Sequence, residues 1–128
     1  REVWRLISLQ MQRQIVVELV DTTYARAFVR SLSFVDRLVV GEGIPHEDLF
    51  AHLETLADYV HDAHDISPEI VDTLSLWRIA TMLGYIAVEE SQEKFATLPF
   101  ADAVGQVAEA DMKKMIRSVH EALLTAHL

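Results

Sequence analysis

The chain has 128 residues, 51% of them apolar, with 20 acids against 11 bases, a net charge of −9 and no cysteine. That length suits one domain with a real core, and that composition is that of a folded chain and not of a disordered one. Disulfides and thiolate metal sites are excluded too, and the absence of cysteine fits a reducing, cytoplasmic setting.

The charge is unevenly spread. Residues 1–40 hold six arginines against Glu2, Glu18, Asp21 and Asp36, a balance of +2. Residues 41–128 set Arg78, Lys94, Lys113, Lys114 and Arg117 against sixteen acids, a balance of −11. Non-specific nucleic-acid binding needs a basic surface that releases phosphate counterions, so only the first third has the charge for it. The first twenty residues interleave charged and apolar side chains and show no signal-peptide pattern. A start at Arg1 without methionine is expected of a fragment or a processed chain.

Residues 3–7 read as a short strand or as a first helical turn, and residues 15–20 leave helix and strand equally open. From Thr22 the helical period is clear, with Tyr24, Ala27, Phe28, Phe34, Val35 and Leu38 on one face. Arg26, Arg30 and Arg37 fall within about 40° of one another on the opposite face. Gly41 and Gly43 end this helix, and Pro45 opens the next, which runs to about His64 with Leu49, Phe50, Leu53, Leu56, Ala57 and Val60 as its stripe.

Ser67 as N-cap and Pro68 in the first turn start a third helix. Between Ile70 and Ala87 its apolar side chains point nearly all round the axis, which marks a helix buried on most sides. Arg78, Thr81 and Gly84 interrupt the run too often for a membrane span. This helix is expected at the centre of the domain, with Gly84 admitting a neighbouring helix. Residues 95–110, with Pro99 and Gly105, read as short helical turns, and Asp111 as the N-cap of a last helix. The chain as a whole, 1–128, predicts a single all-α domain, a bundle of four to five helices with a short strand remnant at its start.

Three groups invite a functional reading. His61 and His64 stand three residues apart near a helix end, a spacing that can place two imidazoles on one zinc if His52, His46 or a partner chain completes the set. The plainer reading is a solvated helix terminus where histidine meets the dipole favourably. The ridge of Arg26, Arg30 and Arg37 suits phosphates or an acidic protein tail, or is simply the polar side of an amphipathic helix. Arg78, inside the most apolar helix, must be paired or line a pocket; Asp72, Glu69 or an acid on another helix would pair it, and a carboxylate ligand would use the pocket. No phosphate loop, nucleophile elbow or HExxH arrangement occurs, so the chain reads as non-enzymatic, with no cofactor.

The order of segments carries a resemblance. A start with Trp4-Arg5-Leu6 precedes a helix containing Tyr24-Ala25 and ending near Gly41-Glu42-Gly43. Pro45-His46-Glu47-Asp48-Leu49-Phe50 opens the next helix, and a later one closes on Leu83-Gly84-Tyr85. Over residues 24–87 this resembles the C-terminal helical region of the RecO family of DNA-repair and recombination mediators. The resemblance implies contacts with single-stranded DNA, with the acidic tail of the single-stranded-DNA-binding protein and with the partner RecR, without catalytic turnover. The family's OB-fold would reach this chain only through residues 1–20, as its last strand and a linker. The cysteine-based zinc module that many members carry after Leu-Gly-Tyr has no counterpart here. A protein-docking role with Arg26, Arg30 and Arg37 as contact surface is therefore expected. The alternatives are a small-ligand or metal-binding bundle using Arg78 or the His61/His64 pair, and a dimerising module.

Overall fold

A computed structural model describes residues 24–38, 47–61 and 65–126 of the chain. The strand expected at residues 3–7 and the glycine stop at residues 41–43 lie outside the described residues. Within them the protein is all-α. Four long helices, α1 (Ala25–Leu38), α2 (Glu47–His61), α3 (Pro68–Met82) and α6 (Glu109–Ala126), form a bundle. Between α3 and α6 come a 3₁₀ turn, Glu90–Gln92, and two five-residue helices, α4 (Glu93–Thr97) and α5 (Phe100–Val104). The helix count therefore slightly exceeds the expected four to five, because the region around Pro99 and Gly105 makes two short helices. No described helix is long and apolar enough to cross a membrane.

Helix α3 is the centre that its all-round apolarity predicts. Val71 and every residue from Thr73 to Ala80 are buried, and the helix touches α1, α2, α4, α5 and α6. Around it pack Phe28, Leu32 and Val35 of α1, Leu49, Leu53 and Leu56 of α2, and Met115, Val119 and Ala122 of α6. Each set recurs at three- and four-residue spacing, so each helix turns one stripe inward. Removing these side chains from water supplies the main drive to fold, at roughly 25 cal/mol per Å² of apolar surface.

Helix α3 starts as expected, with Ser67 at the N-cap position and Pro68 in the first turn, and departs from expectation in how its ends are bonded. Ser67 makes no side-chain cap; instead its carbonyl accepts the N–H groups of Ile70 at 3.1 Å and Val71 at 3.3 Å. At the other end, the Tyr85 N–H reaches the Ala80 carbonyl at 2.9 Å and the Gly84 N–H reaches Thr81 at 3.1 Å. With Gly84 at φ +85°, this is a Schellman stop. A Cβ on Gly84 would meet nothing within 4 Å, so the expected close helix approach is not what this glycine serves; its left-handed backbone is. The stop then aims Tyr85, whose hydroxyl donates to the Leu38 carbonyl at the last turn of α1, 3.0 Å away. Asp111 likewise sits in the first turn of α6 rather than at its cap, and its carboxylate reaches back to the Ala108 N–H at 3.0 Å.

Candidate functional site: an arginine groove and the buried polar cluster behind it

On α1, Arg26, Arg30 and Arg37 are all exposed. The structure draws the first two into one groove and leaves the third apart. Arg26 and Arg30, with Ala27, face Pro68, Glu69 and Asp72 of α3 across a cavity of about 370 Å³. Arg37 lies two helical turns beyond Arg30, about 10 Å along the axis, outside this groove. The Arg30 guanidinium meets the Asp72 carboxylate at 2.8 Å, and this pair also borders a second cavity of about 180 Å³. The walls of that second cavity include Leu76 of α3 and Ile116, Val119 and Leu123 of α6. Thr73 and His120 complete that lining, and the two cavities meet at the Arg30–Asp72 ion pair.

Asp72 is pulled two ways. Burial pushes its carboxyl above the ordinary value, while Arg30 and Arg26 pull it back down and Glu69 adds to the rise. Its Oδ1 is buried without a hydrogen-bond partner. The acid is therefore held by one oxygen and not by the bidentate fork that gives arginine–carboxylate pairs their strength.

Because Asp72 is occupied by Arg30, it does not pair with Arg78, the bland partner expected from sequence. Arg78 is buried, as its setting in α3 predicts, and its charge is met by main-chain oxygens. Its Nε donates to the Phe95 carbonyl at 2.7 Å and its Nη2 to the Leu98 carbonyl. These belong to the C-terminal end of α4, where carbonyls have no intrahelical donor. The guanidinium carbon also lies 5.5 Å from the centroid of Phe100 in α5. Arg78 is thus a buried cap delivered from another helix, with its Nε and Nη2 engaged by the two carbonyls.

Beside it lies a polar cluster that sequence reasoning missed. The Ser31 and Ser75 hydroxyls stand 2.7 Å apart, and the His52 Nε2 is 2.9 Å from the Ser75 Oγ. The His52 ring meets Phe100 edge-on at 5.8 Å. Burial, helped by the positive charge of Arg78, lowers the histidine to about 4, so it is neutral at pH 7. Serine beside histidine is the pairing that activates a nucleophile, and here both serines are wholly buried. The cluster joins α1, α2 and α3 by hydrogen bonds. Replacing Ser75 by alanine strands Ser31 and His52 at once and should cost about 1–3 kcal/mol, read as a melting temperature lower by several degrees.

A signal for the cluster was present in the chain. Ser31 lies between Phe28 and Val35, His52 between Leu49 and Leu56, and Ser75 between Val71 and Ile79, each at helical spacing on a core stripe. His52 is consequently not free to complete a metal site with His61 and His64. His46, His64 and the side chain of His61 lie outside the described residues. Among the described residues, no group of three or more His, Asp or Glu is placed to hold a metal ion.

Compared with known proteins, the chain matches no protein family, no curated protein and no solved structure.

Proposed function

We propose that this chain is a non-enzymatic DNA-repair and recombination mediator domain of the RecO kind, which docks the acidic segment of a protein partner on the α1 arginine face. The observation that carries this reading is the groove itself. Two exposed guanidiniums, Arg26 and Arg30, stand over a cavity whose far wall carries Glu69 and Asp72 and which borders a second cavity lined by Leu76, Ile116, Val119 and Leu123, on a molecule that is otherwise strongly acidic. The two guanidiniums are opposed by Glu69 and Asp72 across the groove, so it offers exposed cations to a short acidic segment without being positive overall, and the acidic body around it repels a long polyanion such as duplex DNA. The order of segments over residues 24–87, which resembles RecO, supports the same class of partner. The acidic tail of the single-stranded-DNA-binding protein is the partner that would meet Arg26 and Arg30 there; RecR and single-stranded DNA are the further partners that the resemblance implies.

The test is the binding of a fluorescent peptide carrying such an acidic tail, followed by anisotropy. Reversing Arg26, Arg30 and Arg37 to glutamate should weaken binding at least about tenfold, because attraction turns to repulsion at each position. Reversing Arg26 and Arg37 alone should move the melting temperature by only a few degrees, since exposed charges contribute little to stability, whereas reversing Arg30 also strands the largely buried Asp72 and lowers it further. Unchanged binding would remove this face from consideration.

A further inference from the structure

We propose that Asp72 is a built-in competitor for the arginine groove: its carboxylate occupies the Arg30 guanidinium when the groove is empty, and a docking carboxylate must displace it. This rests on the reading of the groove as an acidic-segment site and adds to it a residue that sets affinity and selectivity.

The geometry has three parts. Arg30 and Asp72 border both cavities, so their 2.8 Å contact lies where an occupant of either would cross. The arginine side chain is 57% exposed and the aspartate 14%, so the guanidinium is at liberty to swing while the carboxylate stays in the wall. The grip is also poor. One aspartate oxygen is paired and the other is buried without a partner, and ion pairs open to solvent on one side contribute little.

A selection follows from exchange. A ligand with one carboxylate replaces one ion pair by another and gains little. A ligand with several can take Arg30 and Arg26 together, which Asp72 with its single bound oxygen does not. The groove is thereby tuned to runs of acidic residues over isolated ones. Asparagine at position 72 keeps the shape, removes the competing charge and leaves Arg30 open.

The experiment is calorimetric titration of the full chain with hexaglutamate at fixed low ionic strength. Asp72→Asn and, as a second variant, Asp72→Ser should each bind about three- to fivefold more tightly than the parent, the loss of one exposed ion pair converted to affinity. Glu69→Gln removes the same unit charge from the same cavity without touching Arg30, and should gain well under twofold. In an Arg30→Gln background the advantage of Asp72→Asn should vanish. An Asp72→Asn gain no larger than that of Glu69→Gln, or one that persists without Arg30, overturns the proposal and reduces it to a net-charge effect. If the parent binds and the Asp72 variants bind no better, this proposal falls alone. If neither the parent nor any variant binds hexaglutamate, the docking reading falls with it.

Discussion

Replacing Arg78 by methionine should destabilise the domain by about 3 kcal/mol. Methionine restores the length of the stem and leaves the Phe95 and Leu98 carbonyls without their donors. Each buried acceptor left unmatched costs roughly 1–3 kcal/mol. Some of that returns because a buried guanidinium is itself expensive: burial lowers the Arg78 pKa, the mark of a charge held away from water. Lysine is not a conservative replacement, since one ammonium on a flexible stem has no planar fork to span two carbonyls. It should lose more than about 1 kcal/mol. The loss should also be localised. Helices α4 and α5 have five residues each, too short to persist without tertiary support, so amide exchange across residues 93–104 should accelerate before that of α3. Urea unfolding and hydrogen exchange of Arg78→Met read both effects, and a midpoint equal to that of the parent would show that the two carbonyls find other donors.

Stability should fall steeply as pH drops from about 6.5 towards 4, and His52 should be the main single cause. The imidazole is held at about 4 in the folded protein against 6.5 when unfolded, because burial and the neighbouring Arg78 both oppose a second positive charge. Between those values the unfolded chain binds a proton that the folded one refuses, so stability is complete above 6.5 and is lost as pH falls through the window. The difference corresponds to about 3 kcal/mol in all, most of it gone by pH 4.5. Asp72 acts in the opposite sense: burial raises its folded pKa, so the folded state takes that proton first and gains a little stability as pH falls. Urea unfolding at pH 7 and at pH 4.5 isolates the histidine when the parent is compared with His52→Gln. The parent's stability relative to the variant should shrink by about 2–3 kcal/mol between the two pH values. Parallel loss in both proteins would assign the acid sensitivity to the carboxylates instead.

The legible parts of this protein were those governed by local pattern. The stripes of α1, α2 and α6 recur at 3.6 residues, and a stripe of that kind has one stable destination, a shared core. The run through α3 has no polar side to offer water, so its central position follows from composition alone. The exposure of Arg26, Arg30 and Arg37 follows from the same periodicity, since the face opposite a stripe points outward. Where Pro99 and Gly105 interrupt a sequence, one long helix gives way to short ones. At helix ends the pattern was less informative. Ser67 stands at the N-cap position as expected although its side chain makes no cap bond, whereas Asp111 lies two residues inside α6, a displacement that propensity does not resolve.

Pairing, by contrast, was decided only in three dimensions. Asp72 lies in the same helix as Arg78 and 42 positions from Arg30, yet it is Arg30 that it meets. Arg78, buried as expected, found backbone carbonyls from residues 95 and 98, which no carboxylate-counting argument would have chosen. Ser31, His52 and Ser75 each read as an odd polar residue on a core stripe, and only the packing of three helices makes one network of them. Periodicity settles which way a side chain points because it is a property of one helix. Partners are a property of two, and depend on the axial offset and rotation at which their stripes interlock. The sequence by itself therefore determined an all-α bundle, its central helix and its exposed arginines. The tertiary structure decided that two of those arginines share a groove, that an aspartate already occupies one of them, and that the buried arginine holds the fold together and is spoken for.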